Sequence, residues 1–190
     1  CLGENAGEVD LLPLFIGSEG TLGVFLSATL NLMPAPGHQS LTMLGFPDVA
    51  SAGRAVLDLM PLSPSACEIL DGTFLDIIRR GLGTFPLPVD DAVNTILLVE
   101  SDGESRDEAE AAMDALLQAA QAGSPVSIRR AGTAAERDAI WSFRKTASPL
   151  LNKGRGKLKS VRFIEDGAVP TQAIPAYLKG VAEILAAREI

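Results

Sequence analysis

Three observations predict an α+β fold for this chain. Four short strand-like runs, at residues 41–46, 65–70, 94–100 and 126–130, are separated by stretches that contain Gly, Pro, Asp or Ser. Helical patterns with N-terminal capping signals follow the first and third runs, and a shorter helical pattern follows the second. The order from 41 to 130 is therefore β-α-β-β-α-β, with the small helix inserted between the middle strands. That is the split-βαβ, or ferredoxin-like, arrangement: a four-stranded antiparallel sheet with two helices on one face.

Ahead of this unit, residues 1–12 read as loop. The run from Leu14 to Val24 (LFIGSEGTLGV) breaks at Gly17 and repeats glycine every third residue, and apolar residues resume through Phe25 and Leu26 to Leu30 and Leu32. Two short buried segments joined by a glycine-rich turn are expected, where backbone can approach a ligand closely. Its G-x-x-G-x-x-G spacing is neither the G-x-G-x-x-G of a dinucleotide fold nor a P-loop.

Leu41–Phe46 is a strand closed by Pro47, and Asp48 can cap a helix whose apolar face is Val49, Ala52, Val56, Leu57 and Met60. Pro61 and Pro64 stop that helix. Ser65–Leu70 is the second strand, Phe74–Arg80 a short helix, and residues 81–91 an exposed connection. Asn94–Glu100 (NTILLVE) is the clearest strand. Ser105 and Glu108 form a capping box for a helix burying Ala109, Ala112, Met113, Leu116, Leu117 and Ala120, with Gly123 as its C′ residue. Val126–Arg130 is the fourth strand. A second capping box, Thr133 with Glu136, opens a helix on which Arg137, Trp141, Arg144 and Ser148 share one face. Ser160–Asp166 reads as a further strand. The last helix, with Pro175 near its start, is expected to bury Tyr177, Leu178, Val181, Ile184 and Leu185.

Composition excludes several classes of function. A net charge of −8 argues against general nucleic-acid binding. One histidine, His38, rules out a histidine-rich metal site or a histidine triad within the chain, so no metal is expected here. Cys1 and Cys67 are too few for a disulfide framework, and reduced thiols in a cytoplasmic protein are the expectation. No apolar run approaches the roughly 18 residues that span a bilayer. The first residue is Cys1 rather than Met, and the chain is expected to be a piece of a longer protein.

Two stretches carry candidate chemistry. No Lys or Arg precedes Arg54, so an anion at Gly17–Gly23 would rest on backbone N–H groups and the hydroxyls of Ser18 and Thr21. Glu19 would instead accept hydrogen bonds from ribose hydroxyls or amides. The alternative is a turn that binds nothing. On the Trp141 helix, Arg144 offers a planar two-donor fork suited to a carboxylate; the alternative is a surface arginine stacked on Trp141. Lys153, Arg155, Lys157, Lys159 and Arg162 form a basic cluster that could steer an acidic substrate or partner, or simply be solvated. Glu165 and Asp166 adjoin in sequence and so point to opposite faces of a strand.

The uninterrupted Leu14–Gly23 run (LFIGSEGTLG), Ala28-Thr29-Leu30, the exit Pro34-Ala35-Pro36, and Trp141-x-x-Arg144 followed by Phe163–Pro170 resemble one family. They are similar to the FAD-linked oxidases of the vanillyl-alcohol oxidase/PCMH superfamily, in the subgroup of D-lactate dehydrogenases, glycolate oxidase large subunits and D-2-hydroxyglutarate dehydrogenases. The resemblance implies that residues 1–36 are the end, with the terminal strands, of a PCMH-type FAD-binding domain. Residues 37–190 would be a truncated C-terminal cap domain. It implies FAD contacts from Gly17, Ser18, Glu19, Gly20, Thr21, Gly23 and Val24, and substrate contacts from Arg144, Ser148 and Arg162, while Glu68 matches a family acid read as structural.

The implied activity is oxidation of a small 2-hydroxy acid, such as D-lactate or glycolate, by hydride transfer to FAD in the full-length protein. A quinone, cytochrome or iron–sulfur acceptor and a cytoplasmic or peripheral inner-membrane location go with it. The catalytic base and a histidine-rich metal motif are expected outside this stretch, as is most of the flavin site, leaving the isolated piece without FAD and inactive. Its exposed N-terminal strands are expected to self-associate. The alternative function is a non-catalytic ferredoxin-like module that binds a ligand or partner.

Overall fold

The structure, a computed structural model, describes residues 11–80, 89–145 and 168–188. The chain divides into two compact units, Cys1–Ala35 and Pro36–Ile190.

In the first unit, Leu12–Phe15 form a short helix, α1, that begins with proline in its first turn. Residues 23–36 carry no strand pairing, so the expected terminal strands are not formed. A strand needs a neighbour for its N–H and C=O groups, and the described part of this unit supplies none. The apolar side chains stay outside: Val24, Leu26, Leu32 and Met33 are all largely exposed. One packing contact forms, an edge-to-face pair of Phe15 and Phe25 with ring centroids 6.0 Å apart. A Cβ on Gly23 would lie 3.3 Å from the Phe15 ring.

The second unit is built on a sheet of four strands: β1 (His38–Phe46), β2 (Ala66–Leu70), β3 (Thr95–Gly103) and β4 (Ser127–Arg130). Their order is β2-β3-β1-β4 and every pairing is antiparallel. β1 and β2 therefore run parallel to each other with β3 between them, the topology of the predicted split βαβ. The β1–β3 register runs from His38↔Gly103 to Phe46↔Thr95.

Alternation along the two central strands sorts their side chains into two apolar clusters. Leu44, Phe46, Leu97 and Val99 face the crossover helices α2 (Val49–Leu59) and α4 (Arg106–Ala120), meeting Ala52, Ala55, Val56, Leu59, Leu116 and Ala120. Leu41, Met43, Ile96 and Leu98 face the other way. That side is covered too, by Phe74 and Leu75 of α3 (Gly72–Arg79) and Ile140 of α5 (Ala134–Lys145). Helices thus lie on both faces, with the two crossover helices together on one.

Asp48, Asp71 and Ser105 cap α2, α3 and α4 by accepting from the backbone N–H of Ser51, Phe74 and Glu108. The buried stripe of α2 is Ala52, Ala55, Val56 and Leu59, with Met60 exposed. The helix is rolled from the expected face because small residues at 52 and 55 allow close approach to the sheet, whereas Val49 lies at the first turn. Ala112 of α4 is exposed and Met113 buried. Gly123 is not the left-handed residue after α4; Ser124 is, with φ 54°. Glycine is required at 123 for space, since a Cβ there would lie 2.5 Å from the Ser51 carbonyl oxygen and 2.9 Å from the Phe46 ring.

The last helix, α6 (Ile174–Ala187), meets α2 where Pro175 approaches Gly53. None of its residues is fully buried and Ile184 is 64% exposed. Only its N-terminal turn reaches the core, through Ile174, so the expected apolar stripe is half-covered among the described residues. No described helix is long and apolar enough to cross a membrane.

Candidate functional site

The glycine-rich turn is ordered by its own backbone. Ser18 N–H donates to Phe15 C=O (3.2 Å), and Thr21 donates to Ser18 C=O through both its N–H (2.9 Å) and its hydroxyl (2.6 Å). Gly17 and Gly20 have φ of 79° and 80°, and Glu19 lies beside them at 48°. Glycine adopts that region without steric cost. Apart from the glycine itself and its chain neighbours, no atom of the described residues lies within 4 Å of a Cβ built on either glycine. The N–H groups of Glu19, Gly20, Leu22 and Gly23 have no partner among the described residues. An exposed turn with open flanks and several unspent donors fits a group rich in acceptor oxygens, as FAD is. The Thr21 hydroxyl is already engaged, so its contribution there is to shape the turn.

The second constellation lies on the sheet face under α5. Strand parity puts Glu68 of β2 beside Leu98 of β3, and Glu100 two residues on beside Leu41 of β1. α5 is started by Thr133, whose hydroxyl accepts from Glu136 N–H (3.1 Å), while the Glu136 carboxylate accepts from Gly132 N–H (2.7 Å). Its buried anchor is Ile140. That roll turns Trp141 and Arg144 toward the acidic end of the face. Trp141 Nε1–H donates to Glu100 Oε2 at 2.7 Å, and the Gln39 amide donates to Glu100 Oε1 at 3.1 Å. Arg144 donates through Nε to Glu68 Oε2. This pair is part-exposed, with side chains 42% and 37% accessible. Among the described residues, neither terminal nitrogen of Arg144 has a partner.

Glu100 is 7% exposed. Burial raises its pKa above the usual carboxylate value; the Trp141 hydrogen bond opposes this, the Asp102 charge adds to it, and Arg137 again opposes it. A carboxyl whose pKa is higher folded than unfolded stabilises the protein at low pH, and that contribution is lost as pH rises through the folded value. Glu100→Gln, which mimics the neutral form, is therefore expected to gain melting temperature relative to the parent at about pH 8 and to lose that advantage by about pH 4. Melting curves followed by circular dichroism across that range test this; parallel pH profiles would overturn it. Cys67, beside Glu68, has its thiol pushed up to about 11 by burial and then by the Glu68 charge, which makes it a poor nucleophile.

A cleft of about 610 Å³ lies at the end of β1, bordered by Gln39, Ser40, Arg106, Thr133 and Arg137. None of the flavin or substrate contacts expected from sequence lines it among the described residues. The helix N-termini that border it are already served by the carboxylates of Glu108 and Glu136, so it has a weaker claim on an anion than Arg144.

Arg144 and Glu68 are brought together in the structure, although sequence suggested no link between them. Ser148, Arg162, the basic cluster from Lys153 and the Glu165–Asp166 pair lie outside the described residues. Glu100 and Gln39 were missed by sequence reasoning. Strand parity was the available signal: with Ile96 and Leu98 inward, Glu100 must share their buried face.

Residues 35–190 match the family model described as FAD linked oxidases, C-terminal domain. Over 184 residues the chain is 34% identical to glycolate oxidase subunit GlcD of Escherichia coli (strain K12), covering 92% of this chain and 34% of that protein. It is 28% identical over 195 residues to D-2-hydroxyglutarate dehydrogenase of Pseudomonas putida, covering 97% of this chain and 19% of that protein. It is 25% identical over 182 residues to D-lactate dehydrogenase of Archaeoglobus fulgidus, covering 95% and 38%. The chain thus spans about a third of the length of the first of these relatives.

Proposed function

The chain belongs to the family of FAD-linked oxidases, as part of their C-terminal domain, and from that premise we propose that it works within a longer FAD-dependent enzyme oxidising a small 2-hydroxy acid. The observation that carries the substrate class is Arg144. Its Nε is tied to Glu68, while its two terminal nitrogens are unpaired among the described residues and its side chain is part-exposed. A guanidinium with its end-on fork unspent matches the two oxygens of a carboxylate. The names of the relatives, a glycolate oxidase subunit and D-lactate and D-2-hydroxyglutarate dehydrogenases, support the same class.

In this reading residues 1–36 are the end of the flavin domain and 37–190 the cap. Gly17–Val24 would hold FAD through backbone N–H groups, principally those of Glu19, Gly20, Leu22 and Gly23. FAD, when bound, supplies the two-electron redox chemistry. The residues of this chain bind and orient: Arg144 fixes the substrate carboxylate and thereby sets where the carbinol carbon lies, with Ser148 and Arg162 proposed as further substrate contacts. Accepting the hydroxyl proton falls to a base outside this stretch. The exposed apolar segment from Val24 to Met33 would pack on the remainder of the flavin domain, and in the isolated chain would drive self-association. A quinone, cytochrome or iron–sulfur protein is the proposed electron acceptor; one relative is named D-lactate dehydrogenase [cytochrome]. A cytoplasmic position, or one at the inner membrane surface, suits such an acceptor.

The test is the visible spectrum of the full-length enzyme. It should show flavin absorption that bleaches without oxygen on adding glycolate, D-lactate or D-2-hydroxyglutarate, and the acid that bleaches fastest identifies the substrate. A colourless full-length protein would sink the flavoenzyme reading and favour a non-catalytic binding module.

A further inference from the structure

Arg144 and Glu68 sit on different elements, 76 residues apart in sequence, and meet through one specific atom, Nε. That choice of atom matters. A guanidinium has two forks, one made by Nε and a terminal nitrogen, the other by the two terminal nitrogens. A carboxylate held at Nε blocks the first fork and leaves the second, which then points along the side-chain axis. The same helix is fixed one turn earlier by Trp141, whose indole N–H is held by buried Glu100, itself braced by Gln39. Two carboxylates on adjacent strands, Glu68 and Glu100, thus set the roll of α5 and the rotamer of its terminal arginine.

We propose that Glu68 is a positioning residue: by holding Nε of Arg144 it aims the free end of the guanidinium at the carboxylate of an incoming anionic substrate. This rests on the reading of Arg144 given above. The opposite possibility, that Glu68 competes with substrate for Arg144, makes the contrary prediction about its removal. A merely structural ion pair predicts no change in carboxylate affinity, since part-exposed pairs contribute little to stability.

The experiment compares the full-length enzyme with Glu68→Ala and Glu68→Gln, measuring steady-state oxidation of the 2-hydroxy acid and, by calorimetry, the affinity for oxalate, a dicarboxylate that offers no hydrogen for transfer. Glu68→Ala should raise KM and weaken oxalate binding by about tenfold, with kcat within about threefold. Glu68→Gln keeps an acceptor oxygen for Nε and should return both values to within about threefold of the parent. Flavin content and melting temperature should match in all three. If Glu68→Ala does not fold, Glu68→Met, of similar length but without the acceptor, takes its place.

An unchanged or lowered KM in the variant without the acceptor would overturn the proposal while leaving the 2-hydroxy-acid reading intact. An enzyme that oxidises none of the acids, yet binds oxalate with the Glu68 dependence described, would retain the positioning role and remove the proposed substrate. A parent enzyme that neither oxidises the acids nor binds oxalate would overturn both.

Discussion

Phe46→Ala is expected to cost the second unit about 3–5 kcal/mol, enough to leave much of it unfolded at ordinary temperature. Phe46 is completely buried at the end of β1, in the cluster beneath α2 and α4. Its ring also fills the space that glycine leaves at 123, where a Cβ would come within 2.9 Å. Neighbours that already approach this closely cannot collapse far into the hole, so both lost burial and the residual cavity are felt. Urea denaturation of the 190-residue chain checks this: the midpoint should fall with little change in slope. A loss below about 1 kcal/mol would mean that the helical layer is not pinned at this point.

Arg144→Lys in the full-length enzyme carries the largest expected effect on activity. Lysine keeps the charge but has neither the Nε donor that Glu68 engages nor the planar fork a carboxylate requires. Losing two charge-assisted hydrogen bonds together should raise KM for the acid by about a hundredfold. Binding and flavin-reduction rates, separated by stopped flow, test this, and unchanged kinetics would remove Arg144 from the site.

The parts of the fold that could be read in the sequence depend on near neighbours. Asp48, Ser105 and Thr133 announce their helices because a cap acts within three residues, and the structure shows each accepting the expected backbone N–H. β3 could be read because an apolar run as dense as Thr95–Val99 is buried on both faces. What could not be read depends on contacts distant in the chain. The roll of α2 is decided by what the sheet allows at residues 52 and 55. The need for glycine at 123 comes from Ser51 and Phe46, which leave no room for a side chain there. For Leu14–Leu32, apolar composition suggested strands, but composition cannot supply the partner strand.

The candidate site divides the same way. The glycines at 17 and 20 signalled a special turn, and the structure gives both positive φ. Arg144 was singled out by its residue type and by resemblance. Its partner Glu68 and the Glu100–Trp141 bond join β2 and β3 to α5, and no local pattern encodes such pairings.

The strand order has a consequence for how the chain comes to be folded. β1 and β2, the first two strands of this sheet in chain order, do not pair with each other; each waits for β3, and His38 at the start of β1 finds its partner only in Gly103. During synthesis the part of the unit before β3 therefore leaves the ribosome as two unpaired strands and two amphipathic helices, α2 and α3, with no sheet to lie on. Nothing in it can be completed piecemeal. Folding is deferred until β3 arrives and closes both ladders at once, so chains interrupted before that strand should be substrates for chaperones and proteases rather than partly folded proteins.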